Sequence, residues 1–85
     1  MKVKVLLFAN LREQIGTGVE LVDLPDSAST VAGLRLHLMK RGGAWQNALA
    51  DMKVVRVAVN QDMAAAGAPL NHGDEIAFFP PVTGG

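Results

Sequence analysis

Cysteine is absent and aromatic residues make up only 5% of the chain. Without cysteine there is no disulfide framework, no thiolate metal site and no thiol nucleophile. An excess of either charge is also missing: eight Lys and Arg offset eight Asp and Glu, and no block of like charges occurs. A nucleic-acid or anionic-membrane partner would need a basic patch, so neither is expected. No apolar run is long enough to span a bilayer. Met1 leads into an alternating segment, not into the basic stretch and apolar run of a signal peptide. These absences together lead us to expect a cytoplasmic protein.

What the chain does have is a high apolar fraction, 49%, carried by Val, Leu, Ala and Met. With 85 residues it is long enough for one domain and too short for two. A domain this small has a modest core.

Lys2 and Lys4 alternate with Val3, Val5 and Leu7, the pattern of a half-buried strand. Leu6 and Phe8 then fall on the lysine face, so one end of that outer surface is apolar. Asn10 to Ile15 has helical spacing and stops at Gly16. Val19 to Leu24 reads as a second strand, close enough to the first to pair antiparallel, and Pro25-Asp26 ends it. Ser29 or Thr30 can cap the next helix. In that helix Val31, Leu34 and Leu38 form the buried stripe, with Arg35, Lys40 and Arg41 on the wet side. Gly42-Gly43 should stop it, and Ala44 to Leu49 can add a further helical turn anchored by Trp45.

Val54 to Val59 alternates again, and Asn60-Gln61-Asp62 reads as a turn. Ala64 to Ala68 reads as irregular or edge structure. Asn71-His72-Gly73-Asp74 is a turn, and Glu75 to Phe79 is the last strand, ended by Pro80-Pro81. The expected fold is α+β, a mixed four- to five-stranded sheet with one long helix packed on one face. The first and last strands should lie side by side in its centre. Residues 1–79 form this domain and residues 80–85 a flexible C-terminal tail.

Little in the domain suggests catalysis. Gly42-Gly43 follows a helix, whereas a phosphate loop precedes one and carries a Lys-Ser/Thr pair. His37 and His72 have no evident ligand partner, and no metal site is expected. Glu13, Asp23, Asp51 and Glu75 are scattered, with nothing to pair them as acid and base. Arg12 and Glu13 should face solvent, although Arg12 can meet a partner.

The C-terminal residues are different. Pro80-Pro81-Val82-Thr83-Gly84-Gly85 follows the last strand directly. Fully extended, six residues reach about 20 Å. The prolines hold the root extended, which lowers the entropy lost on binding. Gly84 and Gly85 carry no side chain and can thread a narrow channel. Such a segment can deliver the Gly85 carboxyl group into another protein's active site. A carboxylate is a poor electrophile and must first be activated. No nucleotide site is recognisable in this chain, so a partner would supply ATP and make the acyl adenylate. Sulfur replacing the adenylate would leave a thiocarboxylate on Gly85.

The residues that carry a family resemblance are Val3-Lys4-Val5-Leu6-Leu7-Phe8-Ala9, Leu11-Arg12-Glu13 with Gly16, Val57-Ala58-Val59-Asn60-Gln61, and the stretch from Leu70 through Gly85. Phe78-Phe79-Pro80-Pro81-Val82-Thr83-Gly84-Gly85 is the most specific part. Together they resemble the small, sulfur-carrying subunits of molybdopterin synthases, MoaD-like proteins of the ubiquitin-related β-grasp family. The resemblance implies a β-grasp (ubiquitin-like) fold. It also implies adenylation of Gly85 by an E1-like adenylyltransferase, with Gly84 needed for access, then sulfur from a sulfurtransferase or desulfurase. The segment would enter the large synthase subunit, where cyclic pyranopterin monophosphate receives the sulfur. In that family the synthase is a heterotetramer. No cofactor is expected on this chain itself, ATP being used by the activating partner.

One helix covers only one face of the sheet, so the other should show Lys2, Lys4, Leu6, Phe8, Val54, Arg56, Ala77 and Phe79. Leu6, Phe8 and Phe79 are apolar and close to the tail root, and a clustered exposed apolar patch usually marks an interface. We therefore expect partner contacts at Leu6, Phe8, Arg56, Phe79, Pro80, Pro81, Val82 and Thr83, with the two partners docking one at a time. Sulfur delivery to thiamine or tRNA, ubiquitin-like attachment of Gly85 to lysines, and a plain interaction domain are the competing readings.

Overall fold

The computed structural model describes residues 1–50 and 55–81. The first alternating segment forms β1 (Lys2–Leu7), in which Val3, Val5 and Leu7 are buried. Helix α1 (Ala9–Ile15) follows and ends at Gly16, whose φ of 90° is the left-handed cap that glycine adopts without strain. Strand β2 (Val19–Asp23) runs back antiparallel to β1, with Leu6 opposite Val19 and Lys2 opposite Asp23. A single 3-10 turn (Asp26–Ala28) leads to α2 (Val31–Met39), where the Thr30 side chain accepts a bond from the Gly33 N–H at 3.0 Å. Helix α3 (Gly43–Leu49), β3 (Arg56–Val59), β4 (Asp62–Met63) and β5 (Glu75–Phe79) complete the order.

The sheet order is β2-β1-β5-β3-β4. β1 and β5 pair in parallel, Lys4 opposite Glu75 through Leu7 opposite Phe78, and the other neighbours are antiparallel. The first and last strands therefore lie side by side, with β5 in the middle. Their burial explains this placement: Ile76 and Phe78 on β5 are fully buried, as are Val3, Val5 and Leu7 on β1. These side chains join Val22, Val57, Leu11, Val31, Leu34, Leu38 and Leu49 in one core between the sheet and the helices. This is a β-grasp fold of the α+β class.

All three helical segments marked out by the sequence form, but the one expected to be long is short. Helix α2 has nine residues, or about 14 Å of length, too short to cover five strands. Helix α3 packs against both α1 and α2 and contributes Ala48 and Leu49 to the core. The cause lies at the paired glycines. Helix α2 ends at Met39, and the chain reverses through Gly42 (φ 74°) and Gly43 (φ 54°), the latter being the first residue of α3. Trp45 packs half-buried against the core, with the Arg41 guanidinium 4.7 Å from its ring centroid.

Arg35 is also not on the wet side. It is half-buried, and its Nε and Nη2 donate to the carbonyls of Leu49 and Ala50 at 2.7 and 3.0 Å. The last carbonyls of a helix lack intrahelical donors, and a cation there answers both that shortage and the helix dipole.

Candidate functional site

β1 and β5 run in the same direction and end at the same edge of the sheet. At that edge the Phe8 N–H donates to the Phe78 carbonyl at 3.2 Å, and Phe79 closes β5. Pro80 and Pro81 follow, both half-buried. Having no N–H, they cannot extend the ladder, so the chain leaves the sheet there. The site residues Val82, Thr83, Gly84 and Gly85 lie outside the described residues, as do Val54 and Asp51.

The register fixes what surrounds this exit. On the face away from the helices, one row across the sheet reads Val19, Leu6, Ala77, Ala58, Met63. The next row toward the exit carries Phe79 opposite Arg56, with Phe8 following β1. Phe8 is 47% exposed, and Leu6 and Phe79 are half-buried. The structure thus brings Leu6, Phe8, Arg56 and Phe79 together on one face beside Pro80. Toward the other end the face turns polar, with Lys2 opposite Asp23 and Lys4 Nζ 3.9 Å from Glu75 Oε2.

Sequence reasoning missed three members of this face. Val19, Leu21 and Met63 are 54%, 74% and 61% exposed. Along residues 19–24 both alternation phases are apolar, Val19 and Leu21 on one and Val22 and Leu24 on the other, so only the pairing of β2 with β1 tells which faces out. Met63 reaches the face because β4, a two-residue edge strand, sets it opposite Ala58.

The turns at the opposite end of β5 are tightly tied. Asn60 and Gln61 have φ of 50° and 72°, the two positive values of a two-residue hairpin between β3 and β4. The Asn60 side chain accepts from the Glu75 N–H and donates to Asp74 Oδ1, both at 3.0 Å. Asp74 Oδ2 in turn accepts from the Asn71 N–H at 2.8 Å. These bonds hold the start of β5, and so the strand that leads to the exit.

No arrangement of catalytic groups appears among the described residues. His72 Nδ1 accepts from the Lys2 N–H at 3.0 Å, and His37 lies on α2 away from it. No His, Cys, Asp and Glu group among the described residues could hold a metal ion. Arg12 and Glu13 are exposed on α1, and Arg12 lies over Gly18, where an added Cβ would come within 2.9 Å of its Nε. Gly42-Gly43 follows α2 and also precedes α3, the helical turn expected at Ala44 to Leu49. Ala44 and Trp45 stand where a phosphate loop would carry Lys and Ser or Thr, and α3 is a seven-residue helix. An open groove between α2 and the β3–β4 edge is lined, among the described residues, by apolar side chains with Arg35 and Arg56, and by no acid, histidine or hydroxyl. Among the described residues no helix is long and apolar enough to cross a membrane.

A family model described as the ThiS family matches residues 5–85. The chain belongs to the ThiS family. It is 45% identical over 83 residues to the molybdopterin synthase sulfur carrier subunit of Escherichia coli, covering 98% of this chain and 99% of that one. Among solved structures it is similar to small archaeal modifier protein 1 of Haloferax volcanii, with a TM-score of 0.76 and 30% identity, over 95% of this chain and 98% of that one. It is also similar to a chain in the complex of subunits 1 and 2 of the molybdopterin-converting factor from Helicobacter pylori. There the TM-score is 0.66 and the identity 25%, with both chains covered in full. The MoaD-like β-grasp resemblance drawn from the sequence is therefore correct.

Proposed function

We propose that this chain is the sulfur-carrier subunit of a molybdopterin synthase. The observation that carries this reading is the family match, which runs through β5 and the prolines to Gly85. The structure supports it by supplying a rigid base: a central strand whose end opens directly onto the C-terminal segment.

In this reading residues 1–79 are the docking body and residues 80–85 the working segment. An E1-like adenylyltransferase joins the Gly85 carboxylate to AMP from ATP, releasing pyrophosphate. The terminal sulfur of a persulfide on a sulfurtransferase or desulfurase then attacks the carbonyl carbon and displaces AMP, and a thiol cleaves the S–S bond of the resulting acyl disulfide, forming a disulfide with the donor and freeing the thiocarboxylate. The thiocarboxylate enters the large subunit of the synthase, where cyclic pyranopterin monophosphate receives the sulfur. Gly84 lets the segment pass a narrow channel. The chain itself needs no cofactor, and the chemistry belongs in the cytoplasm. Leu6, Phe8, Arg56, Phe79 and the segment from Pro80 to Thr83 form the contact surface, which each partner uses in turn. The converting-factor complex of Helicobacter pylori supports a large-subunit partner.

Attachment of Gly85 to lysines is the second reading, favoured by the similarity to small archaeal modifier protein 1. Deleting Gly84 and Gly85 tests the carrier reading. The truncated chain should fail to restore molybdoenzyme activity to cells lacking their own small subunit, while the full chain restores it. Restoration by the truncated chain would refute both carrier readings. Isopeptide-linked ladders in cells, with no thiocarboxylate, would select the modifier.

A further inference from the structure

Among the described residues, Arg56 is the lone exposed cation on the apolar half of the outer face. It stands directly opposite Phe79, the last residue before the prolines. The acids of this face among the described residues lie elsewhere. Glu75 begins β5, about 13 Å from Phe79 at the usual strand rise, and is already paired with Lys4. Asp23 faces Lys2 at the far end. Among the described residues Arg56 has no ion-pair partner.

An apolar patch with one unanswered cation places a demand on whatever covers it. Burying Leu6, Phe8 and Phe79 under a partner strips water from the neighbouring guanidinium, and a charge buried without a counter-charge opposes association. A carboxylate satisfies a guanidinium best, through two parallel N–H···O bonds. Resting on the carrier reading, we infer that the large synthase subunit brings one Asp or Glu side chain onto Arg56, at the rim of the opening that receives the C-terminal segment. This contact fixes orientation. An apolar patch alone tolerates rotation of one protein on the other, whereas a single charge pair beside the exit allows one arrangement, the one in which residues 82–85 point into the opening. It also steers the encounter, since opposite charges attract before contact.

The test measures binding of the full chain to the purified large subunit by calorimetry at low and high sodium chloride. The chains compared are wild type, Arg56→Leu, Arg56→Glu and Phe79→Asp. Arg56 is exposed, so its variants should keep the wild-type circular dichroism and melting temperature, which are recorded alongside. We expect Arg56→Glu to weaken binding by about tenfold or more, and the wild-type affinity to fall with salt more steeply than that of Arg56→Leu. Reversing the charge of one acidic residue of the large subunit should restore Arg56→Glu and no other variant. Wild-type affinity and salt response in both Arg56 variants, with binding lost in Phe79→Asp, would overturn this inference and leave the docking face intact. Unchanged affinity in all three variants would overturn the docking face as well. A dimer of the chain alone that Arg56→Glu dissolves would assign the face to a second copy, and would also overturn the inference.

Discussion

The Phe8 N–H donates to the carbonyl of Phe78 at 3.2 Å, so β1 is fastened to β5 at the residue pair beside the exit of the C-terminal segment. Leu7 and Phe78, paired one step earlier, are fully buried. The exit thus follows directly on a buried, hydrogen-bonded pair of central strands. A carrier needs this separation: a fixed body for recognition, and a short segment beyond it that reaches the chemistry.

That separation predicts that contacts and stability can be altered independently. Phe8→Ala and Phe79→Ala remove exposed or half-buried surface from the outer face and leave the core between sheet and helices untouched. Each should weaken binding to the large subunit and to the adenylyltransferase by about tenfold, with a melting temperature close to wild type. Calorimetric titration with each partner and a thermal melt measure both quantities. Unchanged affinity for both partners would remove the outer face from the account.

Gly33 predicts the converse, a loss of stability without a change of surface. A Cβ at this position would lie 2.6 Å from the Ala28 carbonyl oxygen, inside any normal contact. The 3-10 turn must then move away from α2, and Gly33→Ala should cost about 1–3 kcal/mol. Urea unfolding followed by circular dichroism measures this. A variant as stable as wild type would show that the turn shifts freely.

Arg35→Ala should loosen α3 rather than the sheet. The Arg35 guanidinium bonds the carbonyls of both Leu49 and Ala50, so its removal leaves the end of α3 without these donors. We expect a loss of about 1–2 kcal/mol and faster amide exchange confined to α3. Exchange that rises equally in β1 and β5 would contradict a local role.

Much of the fold was legible because its signals are local. The bounds of β5, Glu75 to Phe79, follow from a turn on one side and two prolines on the other. Val31, Leu34 and Leu38 as the buried stripe follow from helical spacing, while the sequence left the cap between Ser29 and Thr30, of which Thr30 accepts the bond. What escaped depended on distant partners. Val19 and Leu21 share β2 with apolar Val22, and Leu24 follows the strand, so only the register with β1 turns the first two outward. Arg35 reads as a solvent residue until α3 folds back and presents its carbonyls. The stop at Gly42-Gly43 and the further turn after it were legible as well, but not that α3 would be nearly as long as α2. Of the site, the sequence placed Leu6, Phe8 and Phe79 beside the exit through simple alternation, and it missed Met63, whose position depends on the hairpin at Asn60-Gln61.

The Asn60 hairpin offers a further check on how β5 is held. Asn60→Ala removes the bonds to the Glu75 N–H and Asp74 and places a non-glycine, non-asparagine residue at φ 50°. A loss of about 1–2 kcal/mol is expected. Asn60→Gly relieves the backbone without restoring the bonds and should fall between the two. Equal stability of Asn60→Gly and wild type, measured by urea unfolding, would show that these bonds contribute nothing.

The carrier chemistry itself is tested most directly by the intact mass of the full chain after incubation with an E1-like adenylyltransferase, ATP and a sulfur donor. The account predicts a gain equal to the exchange of one oxygen for sulfur, located on Gly85 and absent when Gly85 is deleted. No gain, with an adenylyltransferase shown to be active on another carrier, would contradict it.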